Sequence, residues 1–320
     1  IELCSAERML ELEPKLAPDV AGGLYAPGGG VVEPYRYVFS LLELAKRNGV
    51  EFLPNCKLEN ASFANGAWTL QAHDGRRIRA KYAVNAAGLH ADDVSRIFGA
   101  EEFRISARKG EEYLLDRTSA AYPSKVVFPV PVKHSKGVLV IPTVDGTTMV
   151  GPTAEIVGDK EDHSTTAENR SAVFRQARRM VPAVSERDLI TGFSGSRPVM
   201  EGNDFYIAFS KKAENLIQAA GIQSPGLTAS PAIAGYICGL LRENGVRLEE
   251  KAQFASMLEP SVQIRRQSAE EADRLHKEDP AWTNIICRCE KISEAEIVDA
   301  IRHGHTTLDG IKFYTRAGMG

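Results

Sequence analysis

Apolar positions change their spacing several times along this chain, and each change marks an element. In PYRYVFSLLELAKRNG, Val38, Leu41, Leu42 and Ala45 recur at i, i+3, i+4 and i+7, which puts them on one helix face. Gly49 follows as a C-terminal stop. Asn65-Gly66 and Asp74-Gly75 then read as hairpin turns, with the alternating WTLQAH between them. The pattern predicts a small antiparallel meander over residues 50–81. It runs into a short apolar strand at residues 82–85, which ends in Ala86-Ala87-Gly88. Upstream, IELCSAERMLELEP reads as helix, and residues 10–34 read as glycine- and proline-rich loop.

From residue 102 to 195 strand-like runs dominate: EEYLLD, KVVFPVPV, GVLVIPT and TTMVGPT. One helical stretch, TTAENRSAVFRQARRMVP, interrupts them, with Thr166 as its N-cap. Beyond it, FYIAFSKKAENLIQAAGIQSPGLTASPAIAGYICGLLRENG gives strand, turn, strand, glycine turn and helix. Residues 248–282 are polar and read as a partly helical linker. In the last segment Ser293 and Glu296 form a capping box, and Ile297, Ala300 and Ile301 give that helix an apolar side.

Composition narrows the class. At 320 residues, 43% of them hydrophobic, the chain has material for two or three compact units. A net charge of −3 offers no basic face for nucleic acid. No run is long enough to cross a bilayer, and no basic-then-apolar leader opens the chain. Five unevenly spaced cysteines do not suggest a secreted disulfide framework, so a reducing, cytoplasmic setting is expected. Ile1 is not a start residue and TRAGMG carries no stop signal; the chain reads as part of a longer protein.

Three motifs carry chemistry. YAVNAAGLHADDV places small residues at a strand's carboxyl end, where a ligand can approach the backbone; a tight structural turn is the bland alternative. LIQAAGIQSPGLTASPAIAGYI places a glycine turn before a helix, whose first N–H groups favour negative charge; an ordinary loop would look the same. ICRCEKISEAEIVDAIRHGH holds Cys287 and Cys289, half of a four-thiolate metal or iron–sulfur site, or two plain thiols. Cys4, Cys56 and Cys238 lack metal-like spacing and read as small apolar packers.

Taken together, GGLYAPGGGVVEPYRYVFSLLELAKRNGVEF, YAVNAAGLHADDV and SGSRPVMEGNDFYIA…LIQAAGIQSPGLTASPAIA resemble the D-amino-acid-oxidase-like superfamily of FAD-dependent oxidoreductases over residues 10–245. FPVPVKHSKGVLVIPTVDGTTMVGPTAE points to its anaerobic glycerol-3-phosphate dehydrogenase and L-2-hydroxyglutarate oxidase branch. The resemblance implies an α/β and α+β chain in six parts. Residues 1–30 are a loop-rich start, and 31–100 are part of a Rossmann-like FAD-binding domain. An antiparallel-sheet substrate domain spans 101–195, and the FAD-binding domain returns at 196–247. Residues 248–283 are linker, and 284–320 resemble a bacterioferritin-associated-ferredoxin-like [2Fe–2S] domain.

The resemblance also implies roles. FAD would meet Leu58, Ala86, Ala87, Gly88, Gly221, Ile222, Gln223, Ser224, Gly226, Leu227 and Thr228. Arg197, in the G-x-R-P position, would grip a substrate anion, though a structural ion pair is the alternative. Lys109 and His134 would face the ring or substrate, or else be solvated, and Lys136 reads in the same way as His134. Cys287 and Cys289 would bind half of a [2Fe–2S] cluster, with a second cysteine pair expected just after TRAGMG; zinc is the other candidate. The family's opening G-x-G-x-x-G turn is not found in this sequence, so the chain is expected to hold FAD poorly.

The function so implied is FAD-dependent oxidation of a small 2-hydroxy acid or polyol phosphate, by hydride transfer to flavin N5. The partners expected are a small anionic substrate and an acceptor protein or quinone-linked subunit, which would bring the protein to a membrane periphery. An amine or amino-acid oxidase and a non-catalytic iron–sulfur scaffold are the competing readings.

Overall fold

The computed structural model describes residues 1–131, 137–259 and 261–319. Its contacts divide the chain into two compact units. One comprises residues 1–32 and 55–248, the other residues 33–54 and 249–320.

The chain opens with strand β1 (Glu2–Ser5), not with helix. The Ser5 hydroxyl accepts from the Arg8 amide and caps α1 (Ala6–Leu12), so the helix cannot begin earlier. β1 pairs with β2 (Gly22–Tyr25), a strand inside the stretch expected to be loop. Helix α2 (Pro34–Arg47) follows and belongs to the second unit, although the sequence grouped it with the strands after it.

The predicted meander forms as β3 (Leu58–Ala64), β4 (Ala67–Ala72) and β5 (Arg77–Ala80), all antiparallel. β6 (Ala83–Asn85) then enters a one-turn Gly88–His90 segment and helix α3 (Ala91–Ile97). Trp68 of the meander packs against Phe98 and Leu216, and its indole N–H donates to the Glu214 carbonyl at 2.9 Å.

The largest sheet has five antiparallel strands: β7 (Ile105–Leu115), β8 (Leu139–Pro142), β9 (Thr148–Gly151), β10 (Glu155–Val157) and β11 (Leu189–Met200). Among its described residues, KVVFPVPV contributes a Val127–Val140 bridge and no longer ladder, since its prolines have no N–H to offer one. Helix α4 (Ala167–Met180), capped by Thr166 as expected, covers one face of this sheet. Val173, Phe174 and Ala177 of the helix meet Tyr113, Leu115, Val140 and Val150 in the main core.

β12 (Tyr206–Phe209) pairs antiparallel with β13 (Leu216–Ala220), and β13 pairs parallel with β6. All five β13 residues are buried, so the strand reads as a continuous apolar run around Gln218. Helix α5 (Gly226–Glu243) follows; of its 18 residues only Gly226 is fully buried.

The second unit adds α6 (Ala269–Glu278), the short pair β14 (Ile285–Cys287) and β15 (Ile292–Ser293), α7 (Glu294–Arg302) and α8 (Leu308–Thr315). The capping box is present as predicted: Glu296 donates its N–H to the Ser293 hydroxyl, while its carboxylate accepts from the Ser293 amide. Helix α2 packs here through Tyr35 against Phe313 and Phe39 against His305. No helix among the described residues is long and apolar enough to cross a membrane.

Candidate functional site

Two neighbouring parallel strands end in glycine turns. β6 pairs Asn85 with Gln218 of β13. At that rung the Asn85 amide donates to Gln218 Oε1 at 2.8 Å and to the Ala91 carbonyl at 2.8 Å. The Gln218 amide in turn donates to the Ser95 hydroxyl at 2.7 Å. Both side chains are buried, so each polar atom needs a partner, and together they fix where the Ala86–Ala87–Gly88 turn leaves the sheet. Asn85 and Gln218 were not singled out from sequence; a polar residue within an apolar strand was the available signal.

Gly88 has φ +57° with open space where a Cβ would stand, and Gly221 has φ +67°. Both conformations suit glycine. Gly221 leads through Ile222, Gln223 and Ser224 to α5, whose start has no side-chain cap. Its first N–H groups, at Leu227 and Thr228, are therefore the kind of donors that a bound anion or an electron-rich ring can use. The candidate residues Ala86, Ala87, Gly88, Gly221, Ile222, Gln223, Ser224, Gly226, Leu227 and Thr228 thus come together at the carboxyl ends of β6 and β13. Leu58 lies elsewhere, against the Trp68 cluster, in the core-strand role that its sequence also allowed.

The antiparallel β7–β11 pair carries the other candidates. Its register sets Arg197 opposite Arg108, Ser196 opposite Lys109 and Gly195 opposite Gly110. Alternation then sorts them. Lys109, Glu111 and Tyr113 point to the face covered by α4. There the buried Lys109 donates to Asp162 at 2.7 Å and to the Ser164 hydroxyl at 3.2 Å. The hydrogen bond from Lys109, with those from Ser164, holds the Asp162 carboxyl well below its ordinary range. Glu111 accepts from Tyr113 Oη, the Thr166 amide and the Asn169 side chain.

Arg108, Gly110, Glu112 and Arg197 take the opposite face. Gly110 makes room for Arg197: a Cβ there would stand 2.9 Å from Arg197 Nη2. Burial lowers the Arg197 pKa, Glu112 opposes that shift, and Arg108 adds to it. Burial raises the Glu112 carboxyl, and the charge of Arg197 offsets this only in part. No carboxylate among the described residues reaches ion-pairing distance of Arg197, so the structural ion pair considered for it is not formed. Arg108 contacts Gln223 Oε1 at 3.4 Å, which joins this face to the glycine turn before α5. Arg108 and Glu112 were not foreseen. His134 and Lys136 lie outside the described residues.

In the second unit Cys287 and Cys289 bring their sulfurs to 3.3 Å. Gly318 N–H donates to Cys287 Sγ, also at 3.3 Å. Burial alone would raise the Cys287 thiol. The Gly318 and Glu290 amides and the Cys289 thiol outweigh it and hold the thiol below its ordinary value. This donor set suits a soft metal or an iron–sulfur cluster, and it supplies two ligands. The described residues contain no cluster of three or more potential ligands.

Between the two cysteines and the chain's last turn lies Glu290, 3% exposed. It accepts from Arg265 Nη1 at 3.0 Å and from Arg316 Nε at 3.1 Å. Arg316 caps α8 in the left-handed conformation, with φ +77°. Of the three cysteines read as packers, Cys4 is buried, Cys56 is half-buried, and Cys238 is exposed on α5.

The family profile described as "FAD dependent oxidoreductase" (DAO) matches residues 1–240, which include both glycine turns and Arg197. The chain belongs to that family. A second profile, "BFD-like [2Fe-2S] binding domain", matches residues 285–320, where Cys287 and Cys289 sit. Among curated relatives, a glycerol 3-phosphate dehydrogenase of Caloramator mitchellensis is 37% identical over 99% of this chain and 66% of its own length. A glycerol 3-phosphate oxidase of Mycoplasma pneumoniae is 31% identical over 75% of this chain and 64% of its own. The chain therefore spans just under two thirds of these two relatives. The solved L-alpha-glycerophosphate oxidase of Mycoplasma pneumoniae, dithionite reduced with FAD bound, superimposes with a TM-score of 0.76 at 28% identity. That superposition covers 82% of this chain and 69% of the other.

Proposed function

We propose that the protein oxidises a CH–OH group of a small anionic substrate, a polyol phosphate or 2-hydroxy acid of the glycerol 3-phosphate or L-2-hydroxyglutarate type. The observation that carries this reading is Arg197. Its guanidinium is half-buried, lacks a carboxylate at ion-pairing distance among the described residues, and shares a sheet face whose Arg108 touches the Gln223 turn. A planar guanidinium kept free of a protein acid is suited to grip a ligand's anionic group in a bidentate manner.

The glycine turns at Gly88 and Gly221 and the uncapped start of α5 would hold FAD. When bound, FAD supplies the acceptor for the two electrons and the hydrogen of the carbinol carbon. The chain's own part is to orient the anion through Arg197, admit that guanidinium over Gly110, and place the α5 N–H groups toward developing negative charge. Cys287 and Cys289, with two further thiolates, would hold a [2Fe–2S] cluster. A one-electron carrier of that kind favours an acceptor protein or a quinone-linked subunit.

The test is an absorbance spectrum of the purified chain before and after FAD addition, followed by a substrate screen with an artificial electron acceptor. Glycerol 3-phosphate and L-2-hydroxyglutarate are set against glycine, sarcosine and proline. Reduction of the acceptor by a hydroxy substrate is expected. Turnover of amines alone would replace this reading with the amino-acid oxidase one.

A further inference from the structure

Arg108 and Arg197 are direct cross-strand partners on the same sheet face. Side chains so placed have Cβ atoms roughly 4.5–5.5 Å apart, and like charges there repel. Neither guanidinium has an acid at ion-pairing distance among the described residues. Cations elsewhere in the same unit do: Lys109 has Asp162 at 2.7 Å, and Lys160 has Asp92 at 2.7 Å. Glu112, on the same face, makes no ion pair with either guanidinium among the described residues, and burial raises its carboxyl above the ordinary value. The contacts of Arg108 are long and neutral, 3.4 Å to Gln223 Oε1 and 3.3 Å to Asn203 Oδ1, which leaves most of its five donors unspent.

We propose that Arg108 is a specificity-determining residue, forming with Arg197 a two-guanidinium subsite for the dianionic phosphate of a phosphomonoester. One fork saturates a carboxylate. A phosphomonoester carries close to two charges on three oxygens and matches two forks. The inference rests on the reading that this face takes the substrate, and it narrows that reading from small anions to phosphomonoesters.

Calorimetric titration of the full chain tests it without turnover. The probes are glycerol 3-phosphate, inorganic phosphate, dimethyl phosphate (a monoanion) and L-lactate. The two dianions should bind at least about 10-fold more tightly than the two monoanions, the worth of one charged hydrogen-bonding partner. Arg108→Gln should erase that preference, weakening the two dianions at least about 10-fold more than L-lactate. Arg108→Lys, which keeps the charge but not the fork, should fall between. Arg197→Gln should weaken all four probes. Circular dichroism and urea midpoints confirm that each variant is folded, and the lysine variant keeps the test open should the glutamine variant unfold. Glycerol 3-phosphate binding that is lost in Arg197→Gln but untouched in Arg108→Gln would overturn the proposal and leave the broader reading standing. A wild-type chain that binds none of the four, with FAD present or absent, would remove the broader reading and this inference with it.

Discussion

Gly110 lies directly beneath the guanidinium of Arg197, and a Cβ added to it would stand 2.9 Å from Nη2. The same Cβ would meet the Thr153 carbonyl oxygen at 2.9 Å and Pro152 Cβ at 3.0 Å. The arginine can swing aside, but the backbone carbonyl cannot. Gly110→Ala should therefore cost about 1–3 kcal/mol of stability, as overpacking does, and displace Arg197 as well. The expected outcome is a lowered urea midpoint together with weakened anion binding. Unchanged anion affinity in a folded variant would show that Arg197 does not depend on this gap.

Lys109 should behave in the opposite way. It sits on the face away from Arg197, paired with Asp162. Because the folded state holds the Asp162 carboxyl below its ordinary value, the pair stabilises the fold above about pH 4 and loses that contribution as pH falls further. Lys109→Met fills the same volume without the charge. The variant should be less stable than the parent at pH 7, the difference should shrink below pH 4, and anion binding should be unaffected. Urea unfolding across pH 2–7 reads the first two, and titration reads the third.

The two turn glycines separate backbone strain from crowding. Gly88→Ala meets nothing within 4 Å and should cost only the left-handed penalty, about 1 kcal/mol. Gly221→Ala adds contacts of 3.0 Å to Met200 Cβ and 3.1 Å to the Asp204 carbonyl oxygen, so its loss should be larger. Thermal melts of the two variants give the order. Equal shifts would mean that the Gly221 turn relaxes more readily than its contacts suggest.

Glu290→Gln removes the one acid that Arg265 and Arg316 share. Breaking a buried pair from one side costs up to about 3–5 kcal/mol, and Glu33, 3.8 Å from Arg316 Nη1, offsets part of that loss. Amide exchange in β14 and α8 should accelerate by orders of magnitude, and the Gly318 amide should lose its protection. Exchange rates equal to those of the parent would show that the two arginines are held by other groups.

Periodicity revealed the elements with one clear period: α2, the meander, α4, and the β13-turn-α5 unit with its glycines. It failed where tertiary partners decide. Only EEYLLD, at the end of β7, was legible, since Arg108 and Lys109 obscure the alternation before it. IELCSAERMLELEP has helix-forming residues throughout, yet pairing with residues 22–25 pulls its first part into a strand. The role of Lys109 was undecidable because its partner, Asp162, is 53 positions away. Arg197 could be singled out from its motif, whereas the place of Arg108 opposite it came only from the strand register.

Arg316 shows what a single position can be asked to reconcile. The residue that ends a helix with positive φ is most often glycine, because any side chain there strains the backbone. Here the guanidinium is also the counter-ion of Glu290, next to Cys289. Glycine at 316 would relax the backbone and take from Glu290 one of its two guanidinium partners, and lysine would keep the charge but not the planar fork. The turn that presents Gly318 to the Cys287 sulfur is thus bought with backbone strain, and no other side chain meets both demands.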